Sequence, residues 1–194
     1  MVKLPERVDI NNLIDYLRIF SWEAADILLQ YSQILKKSGN KIDIIKNHNE
    51  KDPVTTADLE VNDLILKRMQ CKYKNVGWKY LSEENAKLDL NSDINSDWVW
   101  VLDPLDGTKD FIQGTGNYAM HFALNYKNKP FLGVVLIPER DELWISNGET
   151  VWCERRDNIN RKLFSFPKKS LSDITLVTSK NHSNPTLINL NDKI

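Results

Sequence analysis

Asp103-Pro104-Leu105-Asp106-Gly107-Thr108-Lys109-Asp110-Phe111 places two carboxylates three residues apart on a turn that directly follows the apolar run 98–102. The run reads as a buried strand, with Asp103 at its carboxyl end and Pro104 stopping it. Ligand sites in layered α/β proteins gather at such strand ends. Asp103 and Asp106 offer hard oxygen donors, and Gly107 lets the backbone approach a ligand closely. Thr108 brings a hydroxyl to a point where a helix can begin with free N–H groups aimed at an anion. Asp, Pro, Gly and Thr are also the ordinary residues of an Asp-Pro turn and a helix cap, so this segment alone leaves both readings open.

Upstream, Asp52-Pro53-Val54-Thr55-Thr56-Ala57-Asp58 opens a stretch with apolar residues at Val61, Leu64, Ile65 and Met69, which is helical spacing. Asp58 falls in the first turn, where Thr55 and Asp58 also suit a capping box. Next, Trp78-Lys79-Tyr80-Leu81-Ser82-Glu83-Glu84 reads as a short strand ending in paired acids. Adjacent glutamates on a loop are equally the mark of solvated charge. Farther on, residues 176–183 run from an apolar strand into a polar loop holding Ser179 and His182, and His182 is otherwise an exposed loop histidine.

The succession Asp-Pro-x-Thr-x-x-Asp, Ser-Glu-Glu, Asp-Pro-x-Asp-Gly-Thr resembles the magnesium-dependent, lithium-sensitive phosphatase superfamily of inositol monophosphatase, fructose-1,6-bisphosphatase and 3'(2'),5'-bisphosphate nucleotidase. Gly107-Thr108-Lys109-Asp110-Phe111 is closer to the bisphosphate nucleotidase branch, often called CysQ, than to the inositol branch. The resemblance implies that Glu83, Asp103, Asp106 and the carbonyl of Leu105 hold two or three Mg2+ ions, with Li+ as an inhibitor. It implies that Asp58 orients the Thr108 hydroxyl to accept a proton from an attacking water, without a phosphoenzyme. Gly107 and Thr108 N–H groups then meet the phosphate, and Ser179 and His182 contact the nucleotide. Glu84 orients the ligands or binds metal through water, and Lys109 serves the phosphate charge or the turn. The reading requires Glu83, Asp103 and Asp106 to stand close enough to share an ion.

The implied reaction removes the 3'-phosphate of adenosine 3',5'-bisphosphate or its sulfated form, with an inositol or sugar phosphate as the alternative substrate. The superfamily usually adds a second α/β domain carrying a Trp-Asp metal ligand. No Trp-Asp pair occurs here, so the chain is expected to be truncated at its carboxyl end. A reading of another class follows, a non-catalytic metal- or phosphate-binding protein. In a third, purely structural reading, the acids are only caps and surface charge.

Composition sets outer bounds. A net charge of -1 gives no grip on nucleic acid polymers or acidic membranes but leaves room for a small anionic substrate. With 41% hydrophobic residues over 194 positions, the chain can bury one sizeable core. The charged amino terminus and the lack of any long apolar stretch point to a cytoplasmic protein. Cys71 and Cys153 lack zinc or disulfide spacing, so both are expected reduced and at least one buried.

The expected fold is α+β, a sugar-phosphatase-type layering of two amino-terminal helices on a largely antiparallel sheet. The first helix spans residues 10–37 and is followed by a strand over 41–46. From Tyr118 the pattern alternates with period two, Tyr118, Met120, Phe122, Leu124 and Tyr126 on one face, and His121 reads as a packed residue. Strands at 131–137, 142–146 and 149–153 follow, with turns at 128–130, 138–141 and Asn147-Gly148, the last a hairpin signal. Residues 1–164 form the metal-binding domain, and residues 165–194 begin a truncated second α/β domain. Apolar surface near Phe164, Phe166 and Leu176 is then left open, which favours a homodimer.

Overall fold

The computed structural model describes residues 3–37, 45–47, 54–86 and 96–164. The chain divides into two units, Met1–Phe164 and Ser165–Ile194, and the described residues all belong to the first. Helix α1 (Ile10–Lys37) leads into short strands β1 (Ile45–Asn47) and β2 (Val54–Thr55), then helix α2 (Thr56–Lys72). Strand β3 (Lys79–Ser82) runs into the single-turn helix α3 (Glu83–Ala86), and strand β4 (Trp98–Asp106) into the short helix α4 (Thr108–Gln113). Strands β5 (Ala119–Tyr126), β6 (Lys129–Ile137), β7 (Glu142–Ser146), β8 (Val151–Arg155) and β9 (Asn158–Phe164) complete the unit, with a 3-10 turn (Pro138–Arg140) between β6 and β7. Strands β3 to β9 lie side by side in chain order; only the β3–β4 pair is parallel.

Local chemistry explains both long helices. Asp9 caps α1 by accepting the Asn12 N–H at 2.9 Å, and the stripe Leu13, Leu17, Phe20, Ala24, Leu28 is buried along one face. Thr55 and Asp58 form the expected capping box at the start of α2. On β5 the alternation resolves as expected: Met120, Phe122 and Leu124 are buried under the helices while His121 faces the other way. Phe122 stacks on Trp100 at 4.3 Å and meets Phe20 of α1 edge-on at 6.0 Å, so an aromatic seam joins the helical layer to the centre of the sheet.

The layered α+β architecture agrees with the sequence expectation. Several details depart from it. Pro104 does not end its strand: β4 continues to Asp106 through a register shift between Asp103 and Asp106, where the ladder asks no N–H of the proline. The β5–β6 hairpin turns on Lys127-Asn128, both at positive φ, one residue earlier than expected. Asn147-Gly148 is not a two-residue turn but the first half of a four-residue loop, held by Asn147 Oδ1 accepting from the backbone of Glu149 and Thr150. Strand β9 had no alternation to announce it and is added by backbone pairing to β8.

Cys71 is exposed and Cys153 only partly buried, so neither thiol sits in the core as expected. Cys71 lies on the outer face of the last turn of α2. Phe164 is half-buried against Trp144, whereas Phe166 and Leu176 lie outside the described residues, as do positions 41–44 of the strand expected over 41–46, whose last two residues belong to β1. Among the described residues no helix is long and apolar enough to cross a membrane.

A buried ion pair fastens α1 to β8. Arg18 donates from Nε and Nη2 to Glu154, whose side chain is 2% exposed and also accepts the Trp152 indole N–H at 2.6 Å. Removing the cation from so buried a carboxylate costs about 3 kcal/mol. Arg18→Ala is therefore expected to lower the urea midpoint strongly, with no change in the slope of the transition; a midpoint unchanged within error would contradict this account.

Candidate functional site

The site grows from the register of two parallel strands. Ser82 at the end of β3 pairs with Leu102 of β4, so the residues that follow them, Glu83 and Asp103, emerge at the same level of the sheet. Their side chains come within hydrogen-bonding reach of each other. Ser82 is itself buried and donates to Asn62 Oδ1 of α2 at 2.5 Å, which fixes the end of β3 against that helix. Asn62 stands one turn beyond Asp58, so the same helix face carries both. Glu83 and Glu84 open helix α3 instead of sitting on a solvated loop, and Glu84 is buried.

Asp58 is 2% exposed and does two jobs at once. Its Oδ2 accepts from the Thr55 N–H at 2.8 Å and from the Thr55 hydroxyl at 2.5 Å, while Oδ1 faces the Thr108 hydroxyl at 3.5 Å. That hydroxyl lies 3.0 Å from the Leu105 carbonyl as well. The Asp58–Thr108 pair named from the sequence is thus brought together across fifty residues of chain.

The bulge in β4 shapes the rest. Asp103 Oδ1 accepts the Leu105 N–H at 3.1 Å, a local turn that holds the segment around Pro104. Asp106 is exposed, and its Oδ2 lies 3.3 Å from His121 Nε2. Gly107 follows at φ 87°, where a Cβ would stand 2.7 Å from the Asn117 carbonyl oxygen; only glycine fits without displacing backbone. Thr108 begins α4 as expected, and Lys109 is exposed in its first turn.

The electrostatics are those of buried carboxyls with acidic neighbours. Burial, aided by the charge of Glu83, holds Asp58 up at about 6 against the lowering effect of its Thr55 hydrogen bonds. Asp103 is raised well above the usual carboxylate range by burial, by the charge and hydrogen bond of Glu83, and by the charge of Asp106. As they stand, however, no three His, Cys, Asp or Glu side chains among the described residues close around one point. Asp106 is the outlier, engaged with His121.

His121 is a correction to the sequence reading, which took it as packed: its side chain is 47% exposed, beside Asp106. Period two does place it on the face opposite Phe122, but only the antiparallel register, Asp103 opposite His121, brings it to this carboxylate. Asn62 was missed as well; its spacing from Asp58 was the available signal. Ser179 and His182 lie outside the described residues.

Two outcomes follow from this geometry. Gly107→Ala forces both a strained φ and a backbone clash, and should lower stability by about 1–3 kcal/mol in a urea titration; a neutral effect would refute the close approach. Asp58 and Asp103 bind a proton more tightly folded than unfolded. Their contribution is complete below the ordinary carboxylate value and is lost as pH rises through about 6. In chelator-containing buffer, stability should fall between about pH 5 and pH 7, by about 1 kcal/mol for Asp58 alone. A flat or rising profile there would contradict the assigned burial.

Comparison with known proteins places this geometry. The Inositol monophosphatase family matches residues 13–192. The 3'(2'),5'-bisphosphate nucleotidase CysQ of Buchnera aphidicola is 29% identical over 147 residues, covering 75% of this chain and 52% of the relative. The chloroplastic bifunctional phosphatase IMPL2 of Arabidopsis thaliana is 34% identical over 160 residues, covering 77% and 40%. Among solved structures, the extragenic suppressor protein SuhB of Bartonella henselae superposes with a TM-score of 0.59 at 21% identity, over 76% of this chain and 53% of that one, a likeness of fold. The chain spans about half the length of curated relatives that it matches. With a match that runs through all three acidic motifs, the chain belongs to the inositol monophosphatase family.

Proposed function

We propose that this chain is a magnesium-dependent phosphomonoester hydrolase whose substrate is adenosine 3',5'-bisphosphate or its sulfated form. The observation that carries the reading is the approach of the Thr108 hydroxyl to buried Asp58, beside the neighbouring carboxyls of Glu83 and Asp103. The relatives named CysQ support the choice of substrate.

The donor set fits a hard divalent cation. Its members are all oxygens, and the burial and neighbouring charge that together raise the pKa of Asp103 are what such a cation offsets. Glu83, Asp103 and the Leu105 carbonyl would hold it, joined by Asp106 only on leaving His121, with Glu84 steadying them from its buried position. Bound there, magnesium supplies charge neutralisation of the phosphate and makes water a stronger nucleophile.

The residues of the chain do the rest. Thr108 passes its hydroxyl proton toward Asp58, so that Thr108 Oγ accepts the proton that the attacking water sheds. Asp58 suits this task because burial leaves it readier than an ordinary carboxylate to take a proton near neutral pH. The N–H groups of Gly107 and Thr108 face the phosphate oxygens, and Lys109 adds positive charge nearby. Ser179 and His182 are assigned to the nucleotide side of the substrate. Water displaces the alcohol directly, with no covalent phosphoenzyme.

Phosphate release from adenosine 3',5'-bisphosphate should require Mg2+, and Thr108→Ala and Asp58→Asn should each reduce kcat by about 100-fold or more, the usual range for a positioned acid–base group. Calorimetry should show that Asp103→Asn weakens Mg2+ binding. Faster turnover of inositol 1-phosphate would move the substrate to the inositol class. Metal binding without turnover of either would leave a non-catalytic binding protein.

A further inference from the structure

The contact between His121 and Asp106 has no part in the chemistry assigned above, yet it engages one of the carboxylates that a cation would use. His121 Nε2 lies 3.3 Å from Asp106 Oδ2. The imidazole stands on a fixed mount: its backbone is paired with Asp103 of β4 on one side and with Val135 of β6 on the other. Asp106 is placed differently. It is the last residue of β4, beyond the register shift that follows Asp103, and it precedes Gly107 in the left-handed region. Its side chain is 64% exposed, whereas Glu83 and Asp103 are half-buried and Glu84 is buried, so packing leaves Asp106 the freest of these acids to turn.

The charge of Asp106 is among the causes that raise Asp103, so the two carboxylates lie within each other's field. That repulsion can be relieved in two ways, by turning Asp106 to the imidazole or by letting it share a cation with Asp103. The two exclude each other in this geometry. With Asp106 beside His121, no three His, Cys, Asp or Glu side chains among the described residues close around one point. The imidazole and the cation therefore compete for the same carboxylate. Both partners of the contact are largely exposed, and an exposed pair of this kind shifts an equilibrium by about two- to fivefold.

We infer that His121 is a positioning residue that holds Asp106 off the cation site, so that binding of Mg2+ and release of Asp106 from the imidazole are a single exchange. The inference rests on the hydrolase reading above and deepens it. His121 acts only through Asp106, and it raises the Mg2+ concentration at which the donor set fills.

The test uses the full 194-residue chain and its His121→Val and His121→Gln variants, each made also in an Asp106→Asn background. Mg2+ affinity is measured by calorimetry at one fixed pH, without substrate. His121→Val should tighten binding by about two- to fivefold. His121→Gln, whose amide can still donate to Asp106, should tighten it less. In the Asp106→Asn background the same substitutions should leave the affinity unchanged, whereas a residue that merely stabilised its strand would act alike in both backgrounds. A second measurement uses the wild type. The 15N resonances of His121, assigned among the three histidines by their loss in either variant, should shift along a saturable curve as Mg2+ is added. An affinity unmoved or weakened by His121→Val, a gain that persists in Asp106→Asn, or imidazole resonances that stay in place through saturation overturns the exchange and leaves the hydrolase reading intact. A wild type that binds no Mg2+ overturns the metal-dependent reading itself, and the exchange with it.

Discussion

Two groups of like charge, Glu83 and Asp103, are held in contact by the parallel register of β3 and β4, and the rest of the unit supplies the stiffness that makes the contact endure. A flexible chain would relieve such repulsion by moving apart. Here β3 is tied to α2 through Ser82 and Asn62, and β4 is anchored by Trp100, fully buried between Trp78 and Phe122. The protein therefore carries its electrostatic strain in the place where a cationic ligand would profit most from it.

The same economy of parts recurs at Asp58. One carboxylate closes the capping box of α2 and faces the Thr108 hydroxyl, so the helix start and the candidate chemistry share an atom pair. A residue with both tasks is hard to replace, since asparagine keeps much of the cap and loses the proton acceptor. Gly107 is constrained in a different way, by the Asn117 carbonyl that leaves no room for a side chain.

Much of this was legible in the chain because the signals were local. Apolar spacing marked α1, a capping box with apolar spacing marked α2, and strict alternation marked β5 and fixed which face is buried. The three acidic stretches announced themselves by their order. What escaped depended on partners far away in sequence. Pro104 looks like a strand terminator until the β4–β5 register provides a bulge for it. His121 looks packed until that register sets it across from Asp103 and within reach of Asp106. Strand β9 has no pattern of its own and follows from an available neighbour edge.

The clasp between Arg18 and Glu154 joins residues 136 positions apart. At ribosomal speeds of about 5–20 residues per second, the arginine waits on the order of ten seconds for its carboxylate to be made. Throughout that interval α1 has an apolar stripe and no finished sheet to lay it on. Apolar surface left open in this way is prone to aggregate, and the rate at which translation crosses the β6–β8 meander sets how long it stays open.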